Sequence, residues 1–223
     1  MDPALSSARM IRLTHYGVKI DGSSLGADQW NYESEVSILL DAMSNRSVGA
    51  ALLRGVSTHG VRVTITPHPR AECDARGGWS APGVGFVTFT PRDFMSRSPL
   101  GCNHANSAGA DPREILFHEL VHALRGIAGK WRDGRVGGLN KTFTGDEEFI
   151  AIMLTNIYSS ERGRKTRESH EGFVPLSQTS ESTVMSAAKI TLIEVVKQDH
   201  PEMFQRIARS SAKYNPLRLY ASY

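Results

Sequence analysis

The sequence predicts an α+β fold, with a small mixed sheet in its N-terminal part followed by a mainly helical C-terminal half. Three observations carry this. Segments at 60–66 and 85–90 alternate apolar and polar residues, as half-buried strands do, and both precede residue 100. The strongest helix start in the chain follows them, where Asp111, Pro112 and Glu114 occupy the cap, first-turn and capping-box positions. Helical segments then fit 144–160, 183–197 and 201–212, so strands come first and helices afterwards. No repeat or low-complexity linker divides the 223 residues, which are expected to form one domain over 1–223 with residues 1–10 flexible.

Taken in order, 18–20 reads as a short strand ended by Asp21-Gly22. A helix fits 33–43, where Val36, Leu39, Leu40 and Met43 share a face, and a second fits 48–54. The strand at 60–66 is followed by a Pro-, Gly- and charge-rich stretch over 67–83 that reads as a loop. The strand at 85–90 is closed by Pro91, and 99–110 is a second loop. The capped helix from Asp111 runs to about Arg125, where Gly126 and Gly129 are expected to stop it.

Composition excludes several classes. The net charge is +3, and the basic residues are scattered except at Arg162, Arg164, Lys165 and Arg167, which read as a solvated loop rather than a nucleic-acid surface. Two cysteines, Cys73 and Cys102, do not suggest a disulfide scaffold in a chain of this size, and a reducing compartment is the easier fit. Residues 1–10 lack an apolar signal core, and no segment reaches the roughly 20 apolar residues that span a bilayer. A soluble protein without a signal peptide is expected.

The chemistry lies in the second half of the capped helix, Leu116-Phe117-His118-Glu119-Leu120-Val121-His122-Ala123-Leu124. His118 and His122 are four residues apart, so their imidazoles stand one turn apart on one face and can grip one ion. Glu119 is placed to reach the open side of that ion and take a proton from an attacking water. The neighbouring positions are uncharged, as a helix buried behind a cleft requires. Zn²⁺ is the expected metal.

A third ligand must come from elsewhere. Positions 125 and 128, where one zinc-site pattern needs Gly and His, hold Arg125 and Ala128. Gly145-Asp146-Glu147-Glu148-Phe149-Ile150-Ala151 offers a carboxylate on the next helix, with 25 residues between His122 and Glu148. Glu148 is preferred, because Ala151 one turn later lets the helices pack closely. Glu147 remains open, Asp146 is the weakest of the three, and helix-dipole complementarity alone also favours acids there. Cys102 is a further conceivable ligand, as in deformylase-like sites.

On His118-Glu119-x-x-His122 with Glu148-x-x-Ala151, the chain resembles gluzincin-type zinc peptidases, and its size and lack of a signal resemble secreted bacterial effector metallopeptidases of the NleD kind. The resemblance implies a zincin-like fold, Zn²⁺ held by His118, His122 and Glu148, and Glu119 as general base. It also implies a protein or peptide substrate, no nucleic-acid partner, a monomer, and delivery through a specialised secretion system or else a cytoplasmic location, as an effector or toxin. Many gluzincins carry an Asp four residues after the ligand Glu. Here position 152 is Ile, so the support of His118 must lie elsewhere. The resemblance further implies an edge strand lining the cleft, for which 85–90 is the candidate, and an oxyanion-binding group, for which Tyr214, Arg218, Tyr220 and His170 are candidates. The remaining histidines, His15, His59, His68, His104 and His200, show no ligand spacing. The alternatives are a zinc amidase acting on peptidoglycan or another non-protein amide, and a non-catalytic zinc module closed by a fourth contact from Cys102 or His104.

Overall fold

The computed structural model describes residues 12–14, 16–95, 98, 100, 102, 107–136, 143–169, 173–176 and 186–223. Its strands are β1 (Arg12–Leu13), β2 (Val18–Ile20), β3 (Val63–Thr66), β4 (Arg76–Ala81) and β5 (Val84–Thr88). Its helices are α1 (Gln29–Ser44), α2 (Ser47–Thr58), α3 (Pro112–Ile127), α4 (Asp146–Glu161), α5 (Ala187–Asp199), α6 (Pro201–Ala208) and α7 (Pro216–Ala221). The α+β class with a small N-terminal mixed sheet holds. The segments at 1–10 and 183–185 fall outside the described residues.

The sheet order is β1-β2-β3-β5-β4. β2, β3 and β5 are mutually parallel, and β1 and β4 are antiparallel additions at the two edges. The connection from β2 to β3 is made by α1 and α2, as a parallel pair requires. Two expectations are corrected here. The strand over 84–88 is interior, flanked by β3 and β5's hairpin partner, and the edge strand is β4, inside the stretch read as a loop. Arg76-Gly77-Gly78-Trp79-Ser80-Ala81 hides its strand character because an edge strand with two glycines and four exposed residues has no apolar alternation to display.

Val18, Ile20, Val63, Ile65 and Val87 form the buried face of the sheet, and the core continues through α1–α4 to α5 and α6. At its centre is α3, in which every residue from Glu114 to Ile127 is buried. Gly126 does not stop this helix. It lets the indole of Trp79 lie against the helix, where a Cβ would meet the ring at 2.8 Å, and Gly129, at φ +66, follows the C-terminus.

The start of α3 is clamped as the capping box anticipates. The Asp111 side chain accepts from the Arg113 N–H at 3.0 Å, and its own N–H donates to Glu114 at 3.4 Å. In the basic cluster after α4, expected to be a solvated loop, Lys165 is exposed, but Arg162 and Arg164 are turned inward onto these acids. Arg162 reaches Asp111 at 3.0 Å and Glu114 at 3.3 Å, and Arg164 reaches Glu114 at 2.7 Å. These two arginines therefore tie the end of α4 to the beginning of α3, and the two helices run antiparallel. Burial alone would raise the Asp111 carboxyl, but hydrogen bonds from Arg113 and Arg162 outweigh it and hold the group well below the usual carboxylate range. A depressed folded-state pKa gives stability that is present above the unfolded value of about 3.9 and lost as pH falls below it. Melting temperature is expected to fall between about pH 5 and pH 2, and Asp111→Asn should flatten that fall. Identical acid slopes in both proteins would show that Asp111 does not contribute.

Candidate metal centre

A helix buried on all sides that carries His118, Glu119, His122 and Arg125 must find partners for each, because an unpaired buried polar group costs roughly 1–3 kcal/mol. α4 supplies Glu147 and Glu148, and the segment after it and β4 supply contacts to His118 and Glu119. The two Nε2 atoms of His118 and His122 face one another at 3.1 Å, with the rings nearly perpendicular. Glu148 straddles them, one carboxylate oxygen 3.4 Å from Nε2 of His118 and the other 3.3 Å from Nε2 of His122. These separations match the edge of a tetrahedron around zinc, about 3.3 Å for ligand bonds of about 2.0–2.1 Å. The three side chains are thus a group that could hold a metal ion.

Glu147, the neighbour of Glu148, faces another way. Its carboxylate accepts two bonds of 2.9 Å from Nε of Arg125 and lies 3.6 Å from Nδ1 of His122. Arg125, fully buried, is completed by Asp199 at 3.3 Å and the Lys130 carbonyl at 2.6 Å. A carboxylate behind a ligating imidazole fixes which nitrogen carries the proton, and Glu147 occupies that position for His122. Asp146 accepts from the N–H of Val136 at 2.7 Å, away from the cluster.

His118 has a different neighbour behind it. Nδ1 meets the guanidinium of Arg167 at 3.0 Å. The backbone of Arg167 is held by two 2.8 Å bonds with the amide of Asn156, on the same helix as Glu148. Burial, aided by Arg167 and His122, pushes His118 down to about 3. Burial likewise opposes charge on His122, but the adjoining Glu147 and Glu148 overcome it and raise that imidazole, while both histidines hold Glu148 well below the carboxylate range.

Glu119 sits beside this group and is 8% exposed. Burial pushes its carboxyl up to about 7, against the pull of His122 and of the Gly77 backbone amide that faces it. Gly77 belongs to β4, so the strand that forms this edge of the sheet among the described residues crosses α3 at the motif. The approach is so close that a Cβ at Gly77 would collide with the carbonyl oxygen of Glu119. Trp79, two residues along β4, packs on Trp131 with ring centroids 4.7 Å apart, and Trp131 lies 5.4 Å from His122.

Other expectations fare differently. Cys73 and Cys102 are joined in a disulfide, with Cα atoms 5.3 Å apart, so Cys102 offers no thiolate to a metal. Both residues lie in loops, and nothing in their spacing reveals that the loops meet. Tyr214 is buried against Asn156, which lowers its phenol less than burial raises it. Arg218 donates to the carbonyls of Ser210 and Lys213, and Tyr220 packs on Phe204 and Lys197. None of these contacts reaches the cluster. His170, His104 and His15 lie outside the described residues. His68 forms a second group with Glu72 and Asp74. It turns a different nitrogen to each carboxylate, at 3.6 and 3.5 Å, and Asp74 is already bound by Arg76 at 2.8 Å, which makes an ion-pair network rather than a cage.

Comparison with known protein families matches the chain to the peptidase family M91, described as effector protein, over residues 18–170. The chain belongs to the M91 peptidase family. No match was found among curated proteins or among solved structures. Membership bears out the resemblance to NleD-like effector metallopeptidases and makes this chain a peptidase of an effector family. The M91 match contains every residue of the cluster and ends shortly after Arg167. No described helix is long and apolar enough to cross a membrane.

Proposed function

We propose that this M91 peptidase is a zinc-dependent endopeptidase in which His118, His122 and Glu148 hold the ion and Glu119 is the general base. The observation that carries this is the convergence of three ligand-type side chains, with the two histidine Nε2 atoms 3.1 Å apart, one Glu148 oxygen 3.3 Å from His122 and the other 3.4 Å from His118, and a buried carboxyl beside them. Bound zinc supplies Lewis-acid polarisation of a carbonyl and makes water more acidic. Glu119 takes the proton from the attacking water at its carboxylate and returns it to the leaving amine. Its burial beside the cluster suits it for both steps, because the same group must accept a proton from water and then release it to the amine. Glu147, backed by Arg125 and 3.6 Å from Nδ1 of His122, favours a proton on that nitrogen, which leaves Nε2 available.

The edge of β4, which no other described strand pairs, is the natural place for an extended substrate. A peptide paired along Gly77–Trp79 would carry its backbone past Glu119, with the Trp79–Trp131 pair bordering its side chains. The protein is read as an effector that cleaves specific proteins in another cell. Membership of a peptidase family favours peptide bonds over a peptidoglycan amide, and Cys102 cannot close a four-ligand structural site while bonded to Cys73. The test is digestion of an unfolded reporter protein and of purified murein, each with and without a zinc chelator. Chelator-sensitive fragments from the protein alone are expected, and murein release alone would replace this reading with the amidase.

A further inference from the structure

Arg167 is the least explained buried charge among the described residues. It is 4% exposed, its Nε has no hydrogen-bond partner, and among the described residues no carboxylate pairs with it. Burial lowers its pKa, and Glu119, Glu148 and Glu114 oppose that only from a distance. An unpaired buried cation is expensive, yet the chain fixes this one firmly. Asn156 clamps its backbone from α4. The loop at Gly109 (φ +77) lies so close to the side chain that a Cβ there would meet Cδ of Arg167 at 2.7 Å. The ring of Phe173 covers the guanidinium at 5.8 Å.

Its one short polar contact among the described residues is with His118. A histidine that ligates through Nε2 carries its proton on Nδ1 and gives it to an acceptor, which raises its basicity. Guanidinium has five donors and no acceptor. At His118 a donor therefore stands where an acceptor belongs, and a positive charge stands directly behind a ligand of a dication. His122, by contrast, has the carboxylate of Glu147 in the equivalent place.

Resting on the zinc-site reading above, we propose that Arg167 is a positioning residue that, through His118, holds down the metal affinity of the His118–His122–Glu148 cluster. A metal held less tightly by its ligands keeps more positive charge for the carbonyl it polarises, which gives the costly buried cation a use.

The experiment is competition for zinc between a chromogenic chelator and metal-free protein, on the wild type and on Arg167→Gln, Arg167→Met and Arg167→Lys, with melting curves to confirm folding. Outer partners of metal ligands typically change affinity by about 10–100-fold. Arg167→Gln and Arg167→Met, which remove the cation, should each bind zinc about tenfold or more tightly than wild type. Arg167→Lys keeps the charge and should stay close to wild type. A merely structural role would loosen the site, so equal or weaker binding by both neutral variants overturns the proposal. If one neutral variant fails to fold, the other carries the comparison. Absence of zinc binding by the folded wild type would instead overturn the underlying zinc-site reading.

Discussion

Replacement of Glu119 by Gln is expected to lower peptide hydrolysis by at least about 100-fold, and by as much as about 10,000-fold, without loss of bound metal. Gln has the same volume and can still accept from the Gly77 amide, so the packing of β4 on α3 is preserved. What it lacks is the ability to take a proton from water. The ligand-type atoms, Nε2 of His118 and His122 and the Glu148 oxygens, are untouched. The check is kcat/KM on a protein substrate together with metal content of the same preparation. A metal-loaded variant within tenfold of wild type would remove Glu119 from the chemistry.

The second large effect is expected at Gly77. Its hypothetical Cβ would strike the backbone carbonyl of Glu119, which cannot rotate aside as a side chain could. Gly77→Ala must therefore separate β4 from α3 or displace the motif itself. Overpacking of this kind costs typically about 1–3 kcal/mol, and the rigidity of both partners places this site at the upper end. Because the shift opens the seam between the edge strand and Glu119, activity should fall by more than the stability loss explains. Urea unfolding and kcat/KM measured on one sample separate the two. Unchanged values for both would mean that β4 does not sit on the motif.

Much of this site is legible in the sequence, for physical reasons. The helix around His118 and His122 announces itself through Asp111, Pro112 and Glu114, because capping is local chemistry, and the i,i+4 spacing of the histidines needs no tertiary information. Glu148 is recognisable through its place on the next helix. Its distinction from Glu147 rests in the sequence on Ala151 alone, because adjacent acids in a first turn look alike until a buried Arg125 claims one of them. Arg167 is hidden for a similar reason. It belongs to a run of basic residues whose composition suggests solvent, and only the antiparallel return of α4 turns Arg162, Arg164 and Arg167 inward. β4 and the Cys73–Cys102 bond are non-local in the same sense. An exposed glycine-rich edge and two cysteines 29 residues apart acquire meaning only when β5 and the loop before α3 are in place.

The central claim is that two helices deliver three ligands to one zinc ion, and metal content measures it most directly. Wild type and Glu119→Gln, purified alike, should each hold about one zinc per chain by mass spectrometry, and Glu148→Ala should have lost it. A wild type without zinc, or a Glu148→Ala that retains it undiminished, would contradict the account.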